Sequence, residues 1–465
     1  MIAEEKQLSI ATVIETTGGT LAQGDRHTSF VGVSTDSRSI KPGELFFALK
    51  GINFDGHRFF AEAIQRGGRG AVLEQEVASP ANKAIPIIIV KDALHALGDL
   101  ANWWRKRHPI PLIAIVGSTG KTTTKEMTAV ILGRMYTVMK NEGNFNNLIG
   151  LPLSLLKMNA QDQIAILEMG MNRKGEIRRL TQIAEPDLGI LTNIGPVHLE
   201  GVGSIEGVME AKGELVEEMG VQGKIIFNAD DPRVVKLSTR FGGARTSFGV
   251  DNPADWTASD VRLRDDGMVS FQLRGDAGTI PIALRLIGRH QVHNALAAAT
   301  AASALGLGMD DIQKGLEAFQ PPPMRMEVIT LGPGITIIND AYNANPQSME
   351  AALLALKEAR GGKKIAVLGD MWELGGYAEQ AHRELGRTVK ERGVDFLFLL
   401  GGFASQVAQG AEEAGMDPQA IYPGKDHHDV SLRLARLVTK GDWVLIKGSR
   451  IMKMEEIIKE LRDAL

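Results

Sequence analysis

Leu112-Ile113-Ala114-Ile115-Val116-Gly117-Ser118-Thr119-Gly120-Lys121-Thr122-Thr123 is the stretch that decides the fold. Five apolar residues run into a glycine-rich turn, and a helical pattern starts at Lys121. Strand, loop and helix in that order are the parts of a phosphate-binding loop. Backbone N–H groups at a helix start, with the positive end of its dipole, attract anions. Gly117 and Gly120 let the backbone curl around phosphates, with Ser118, Thr119 and Thr123 completing the loop. Lys121 supplies a cation for the β- and γ-phosphates, and the Thr122 hydroxyl suits Mg²⁺. The loop is shorter than the usual G-x₄-G-K-[ST], because Ile115 stands five before Gly120. The alternative is a glycine-rich turn with no ligand. The loop alone gives ATP little preference over GTP.

Outward from the loop, apolar strands recur at residues 164–167, 189–192 and 224–227. Helical patterns at 121–133, 175–183 and 205–219 separate them, an alternation that predicts a parallel sheet covered on both faces. An antiparallel insertion over 256–286 and an alanine-rich helix over 292–305 close the segment. Pro321, Pro322 and Pro323 then mark a boundary. Beyond them, strands are expected at 335–339, 364–368, 395–400 and 443–446. Helices are expected at 348–360, 379–392, 404–414 and from 453 onward, giving a second open, Rossmann-like α/β sheet. Before the loop, strands at 30–34 and 45–49 and helices at 57–65 and 92–107 form a smaller α/β segment. The fold class is therefore α/β in three domains, at 1–108, 109–320 and 321–465.

The composition suits such a chain. It has 465 residues, 44% hydrophobic and 23% charged. Lys plus Arg number 52 against 56 Asp plus Glu, a net charge of -4, so nothing points to nucleic acid. The absence of cysteine removes disulfides, thiolate nucleophiles and cysteine metal sites. Glu4, Glu5 and Lys6 precede any apolar stretch, unlike a signal peptide. The longest apolar runs are too short to span a membrane. A cytoplasmic enzyme is expected, and a monomer.

Further motifs carry a resemblance. The shortened loop with its second threonine is followed by Asn144-Phe145-Asn146-Asn147-Leu148-Ile149-Gly150-Leu151-Pro152 and Glu168-Met169-Gly170. Then come Thr192-Asn193-Ile194-Gly195 with His198-Leu199, Ala211-Lys212-Gly213-Glu214 and Asn228-Ala229-Asp230-Asp231-Pro232. Gly288-Arg289-His290-Gln291-Val292-His293-Asn294 and Arg325 complete the set. The chain resembles the Mur ligase family from about residue 30 to its end. One departure is Gln291, where many relatives have Asn. Asn339-Asp340-Ala341-Tyr342-Asn343-Ala344-Asn345-Pro346 and Gly369-Asp370-Met371-Trp372-Glu373-Leu374-Gly375 look like the members that add D-alanyl-D-alanine to a UDP-N-acetylmuramoyl-tripeptide. The Asp-Asn-Pro-Arg element of the diaminopimelate-adding members is absent from the third segment.

The resemblance implies an ADP-forming ligase of peptidoglycan precursor synthesis, and so a part in cell-wall biogenesis, cell shape and the division cycle. ATP would phosphorylate the tripeptide carboxylate, and the dipeptide amine would attack the acyl phosphate. Glu168, Thr122, His198 and, as a carbamate, Lys212 are implied as Mg²⁺ ligands. Lys212 is implied as a lysine carbamylated by CO₂, a carboxylate in place of a cation, which requires a neutral amine. Its bland alternative is a surface lysine paired with Glu210 or Glu214. Asn294 is implied at the adenine with His290 beside it, Arg325 at the γ-phosphate and Asp340 at the ribose. Lys121, Lys212, His198 and Arg325 would be the catalytic set. In the first domain, Ser34-Thr35-Asp36-Ser37-Arg38 and Asn53 resemble the UDP-binding element, though such clusters are also ordinary turn chemistry. Tyr342 and Asn345 are implied on the dipeptide side. Lys447-Gly448-Ser449-Arg450 is either a carboxylate contact or a helix-capping turn. The competing readings are another amino-acid-adding Mur enzyme, a folylpolyglutamate-synthase-like ligase, a phosphotransferase on the same loop, and a non-catalytic binding protein.

Overall fold

The computed structural model describes residues 8–51, 54–76, 84–264, 267–332 and 334–465. The expectations for the amino-terminal 1–7 and for Asn53 lie outside these residues. The chain divides into two compact units, each taken by itself below.

The first unit comprises residues 1–114, 136–170 and 176–187. It holds a five-stranded sheet ordered Thr20–Gln23, Ile87–Ile89, Gly70–Leu73, Leu45–Phe47, Val33–Ser34. Its first pairing is antiparallel and the rest are parallel. Phe46, Ala71, Leu73 and Ile87 pack with Phe60 and Ala63 of the helix Phe60–Gln65 into one core. The expected strand over 30–34 is broken. Ser29–Phe30 pairs with Leu8–Ser9, whereas Val33–Ser34 joins the sheet. Val31 between them is exposed, its N–H bonded to Gly43 O. The expected helix at 57–65 opens as a 3₁₀ turn, Gly56–Phe59, because Asp55 accepts the His57 N–H. Asp92 caps the helix Ala93–Arg107. Arg105, at its end, is buried against Ala184 O and the Asp187 carboxylate. The same unit contains Ile164–Glu168 beside Val138–Lys140, in parallel register.

The second unit comprises residues 115–135, 171–175 and 188–465. Its first sheet runs Gly278–Ile287, Met268–Gly275, Trp256–Leu263, Ala244–Gly249, Lys224–Asn228, Leu188–Leu191, then the end of Leu112–Val116. Pairings are parallel from 188 to 257 and antiparallel through the 256–287 insertion, as the sequence predicts. The alanine-rich helix Gln291–Ala304 packs against the helix Lys121–Leu132, small side chains allowing close approach. A helix at Met309–Ala318, absent from the sequence expectations, follows it.

A second sheet in this unit runs Glu327–Leu331, Ile335–Asp340, Trp443–Lys447, Lys364–Gly369, Phe396–Leu400, Ile421–Pro423. All pairings are parallel except the first. Alternate residues feed two cores, as the period of two requires. Ala366, Leu368, Leu397 and Leu399 enter one, and Ile365, Val367, Phe398 and Leu400 the other. Burial on both faces explains why these strands read as unbroken apolar runs. The fold is thus mixed α/β with three separate mainly parallel sheets, the class the sequence predicts.

Candidate active site

The phosphate loop sits where a parallel strand gives way to a helix. Gly120 caps the helix Lys121–Leu132 at φ 78° and offers no side-chain acceptor. Its left-handed backbone favours glycine, and a Cβ there would lie 2.3 Å from Asn294 Oδ1. A Cβ on Gly117 would lie 1.8 Å from Thr192 Oγ1. The loop is clasped by the turn that follows Leu188–Leu191. Asn193 Oδ1 accepts from Thr119 N at 2.8 Å and Ser118 N at 3.2 Å, and its amide donates to Thr119 Oγ1 at 2.7 Å. Ser118 Oγ exchanges bonds with Gly195 O and Gly195 N, and Thr192 Oγ1 donates to Thr119 O. Thr122 is buried and Thr123 half-buried on the first helical turn. Asn193 and Thr192 carried no assigned role in the sequence. The available signal was a polar pair directly after a strand, at the carboxyl edge where α/β sheets hold ligands.

Lys121 Nζ donates to Gly117 O at 2.9 Å. Lys212 Nζ reaches the same oxygen at 2.9 Å from the helix Ile205–Glu218, with only 3% of the residue exposed. The surface-lysine alternative is corrected by that burial. Glu210 instead pairs with Arg240, and Glu214 accepts the Gly175 N–H. The helix turns Lys212 inward because it shares the stripe of Val208, Ala211 and Leu215.

In the first unit, Glu168 ends its strand with 4% exposure. Its Oε1 accepts from Asn146 Nδ2 at 2.9 Å. Asn141 brackets the same residue, accepting Glu168 N and donating to Glu168 O. The 144–152 motif thus positions a carboxylate, with Asn147 Oδ1 accepting the N–H groups of Ile149 and Gly150. Asp36 accepts from Arg38 through its N–H and guanidinium, which holds the carboxyl down at about 2. Ser34 Oγ bonds within the turn and Ser37 Oγ donates to Glu62. This is a closed turn whose Arg38 is largely exposed. Thr35 lies half-buried within it.

In the second unit, His198 (φ 54°) and Glu373 (φ 65°) are both left-handed. Glu373 Oε2 lies 2.6 Å from His198 Nδ1. The His198 ring beside it holds the Glu373 carboxyl below its usual range, against the opposing effect of burial. His290 Nε2 lies 3.1 Å from the Gln291 amide, Gln291 Oε1 accepts from Asn294, and Thr124 Oγ1 reaches Asn294 Oδ1 at 3.4 Å. Burial pushes His290 down to about 4. His293 Nε2 meets Asp230, whose carboxylate also collects the N–H groups of Val250, Asp251 and Asn252. Asp231 caps the helix Pro232–Ser238 and accepts the Ile194 N–H, tying the loop clasp to its neighbour.

The Arg325 guanidinium carbon lies over the Tyr342 ring, 3.9 Å from its centre. Asp340 is held between Lys447 Nζ at 2.5 Å and Met326 N at 3.0 Å. Asn345 forms a capping box with Ser348 on the helix Pro346–Glu358. Lys447 is a buried strand end, Ser449 Oγ accepts the Trp372 N–H, and Arg450 pairs with Glu455. Among the described residues no three His, Asp or Glu side chains gather into a cation cage. No described helix is long and apolar enough to cross a membrane.

Known proteins resemble this chain over nearly its whole length. The model for the Mur ligase middle domain matches residues 115–302. That for the Mur ligase glutamate ligase domain matches 324–450, and that for the Mur ligase family catalytic domain matches 29–105. A UDP-N-acetylmuramoyl-tripeptide–D-alanyl-D-alanine ligase of Bacillus subtilis (strain 168) is 38% identical over 459 residues, 98% of each chain. A crystal structure of MurF from Acinetobacter baumannii superposes with a TM-score of 0.91 at 32% identity, covering 98% of this chain and 99% of that one. MurF ligase from Thermotoga maritima, in complex with ADP, has a TM-score of 0.83 at 29% identity, covering 93% and 97%.

Proposed function

The chain belongs to the Mur ligase family, and we propose that it joins the terminal carboxylate of UDP-N-acetylmuramoyl-tripeptide to the amine of D-alanyl-D-alanine, splitting ATP to ADP and phosphate. Full-length similarity to ligases of that name supports this, as does a similar ligase solved with ADP. The observation that carries the reading is the convergence of Lys121 and Lys212 on one loop carbonyl.

A carboxylate is a poor electrophile, and phosphate on it makes a good leaving group. The nucleotide and the carboxylate are both anions, so the chain's work is to gather them and keep water out. The loop N–H groups and Lys121 bind the nucleotide phosphates. Arg325, pre-oriented on Tyr342, supplies a planar fork for the γ-phosphate oxygens. Asn294 and His290 lie on the adenine side and Asp340 on the ribose side. The first domain, 1–108, binds UDP through 34–38 and Asn53. Residues 109–320 carry ATP, and residues 321–465, with Tyr342 and Asn345, receive the dipeptide.

Thr122, Glu168, His198 and, once carbamylated, Lys212 are the metal ligands of this reading. Their donors fit Mg²⁺, which takes one or two protein carboxylates, keeps several waters and binds substrate phosphates, so no ready-made cage is needed. When bound, the ion neutralises charge on the transferring phosphoryl group. Lys212 lies buried beside the loop, and carbamylation by CO₂ would make it a carboxylate there. A cytoplasmic monomer acting in cell-wall precursor synthesis, and thereby in cell shape and division, completes the reading.

The test couples phosphate release to mass detection of the UDP-muramoyl-pentapeptide. Product is expected with D-alanyl-D-alanine. Single D-alanine, L-alanine, D-glutamate, L-lysine or diaminopimelate should give little, since a site built around the dipeptide amide leaves groups orphaned at about 1–3 kcal/mol each. Efficient addition of one free amino acid to a shorter acceptor, without use of the dipeptide, would overturn the substrate assignment.

A further inference from the structure

We propose that Glu373 is a positioning residue for His198, fixing its ring so that Nε2 is the nitrogen presented to a divalent cation. The inference rests on the reading of His198 as a metal ligand. The Glu373 carboxylate charge, 2.6 Å from Nδ1 but off hydrogen-bond geometry, favours the tautomer with its hydrogen on that nitrogen. In the neutral ring the lone pair is then on Nε2. Metal-binding histidines commonly pass their second N–H to a carboxylate, which fixes tautomer and orientation.

The backbone supports a built contact. Both residues occupy the left-handed region, which side chains other than glycine, Asn and Asp rarely adopt. Two neighbouring strained residues persist where their surroundings hold them. The segment leading to Glu373 is held at each step. Asp370 accepts from Gly402 N and Phe403 N, Met371 N donates to His382 Nε2, and Trp372 N donates to Ser449 Oγ. On the other side, Glu200 N reaches Glu373 O at 3.4 Å.

The two partners come from segments matched by different domain models, His198 within 115–302 and Glu373 within 324–450. The carboxylate that orients the histidine is therefore supplied by the segment that receives the amine substrate. Cation affinity becomes linked to the placement of that segment, and the linkage works in both directions.

The test is Mn²⁺ binding to the full-length protein with ADP present, followed by electron paramagnetic resonance. Wild type is compared with His198→Ala, Glu373→Ala, Glu373→Gln and the double alanine variant. Loss of a carboxylate behind a metal-bound histidine typically weakens affinity about 10–100-fold. His198→Ala and Glu373→Ala should each show such a loss, and the double variant should be no weaker than His198→Ala alone. Glu373→Gln keeps an oxygen for the Nδ1 hydrogen and should recover most of the affinity. Nitrogen-15 spectra of the His198 ring should show the Nδ1–H tautomer in wild type and Glu373→Gln, and a mixture in Glu373→Ala. Wild-type affinity in Glu373→Ala beside a weakened His198→Ala overturns the positioning role, as do additive losses in the double variant. Unchanged affinity in His198→Ala overturns instead the reading of His198 as a ligand. Glu373→Gln keeps the test decisive if the alanine variant fails to fold.

Discussion

Lys121 and Lys212 donate to one acceptor, the carbonyl of Gly117, each at 2.9 Å. One lysine starts the helix behind the loop and the other arrives from a helix some ninety positions later. Their meeting places two amines at the mouth of an anion site.

Lys121→Ala should fold normally, because the residue is only half-buried at the start of its helix. ATP turnover should fall on the order of 10³-fold, the scale of removing a charge-stabilising donor from a preorganised site. Circular dichroism together with phosphate release checks this. Near-wild-type turnover in a folded variant would refute the loop assignment.

Lys212→Ala should be almost inactive, and a small carboxylic acid such as acetate should partly restore it by occupying the vacated space. Incorporation of labelled CO₂ by wild type, and not by the variant, is the direct measurement. A fully active preparation carrying no label would exclude the carbamate.

The strand Leu112–Val116 and the central sheet were legible because burial on both faces makes strands apolar throughout. What the sequence left open was direction. Lys212 reads as a surface residue between two glutamates, and only the inward stripe of Val208, Ala211 and Leu215 explains its burial. The 30–34 strand failed because pairing partners, not local propensity, decide where a short strand ends. Asn193 and Glu373 carried no assigned role in the sequence. Their partners lie 74 positions away at Thr119 and far along the chain at His198. Lys447-Gly448-Ser449-Arg450 looked like a single element, yet its side chains face three different partners.

Asn193→Ala removes the acceptor for the Thr119 N–H and the donor to Thr119 Oγ1, while Ser118 N keeps the Asn193 backbone carbonyl at 2.9 Å. Stability should drop by about 1–3 kcal/mol, the cost of leaving such groups unpaired. ADP affinity should fall with it, since the loop loses its clasp. Denaturant titration and calorimetry report the two effects. Unchanged ADP binding would show that the loop holds its shape without the clasp.

The chain of bonds from His290 through Gln291 and Asn294 to Thr124 depends on a neutral imidazole. Neutral Nε2 accepts the Gln291 amide hydrogen, whereas a protonated ring would set donor against donor. Burial is the first cause of the lowered His290 pKa of about 4, with Lys447 and His293 adding to it and Asp340 opposing. In the unfolded chain the ring titrates near the ordinary histidine value of about 6.5. The sign follows from linkage. The unfolded state takes up its proton first, so this contribution is fully present above about 6.5 and is lost as pH falls toward 4. His290→Gln cannot titrate and should lose less stability than wild type across that window, whatever its stability at pH 7.5. The measurement is the urea midpoint of both proteins at several values between pH 7.5 and 5. Parallel curves would mean that His290 takes up its proton equally in the folded and unfolded states, and the neutral relay to Asn294 would have to be abandoned.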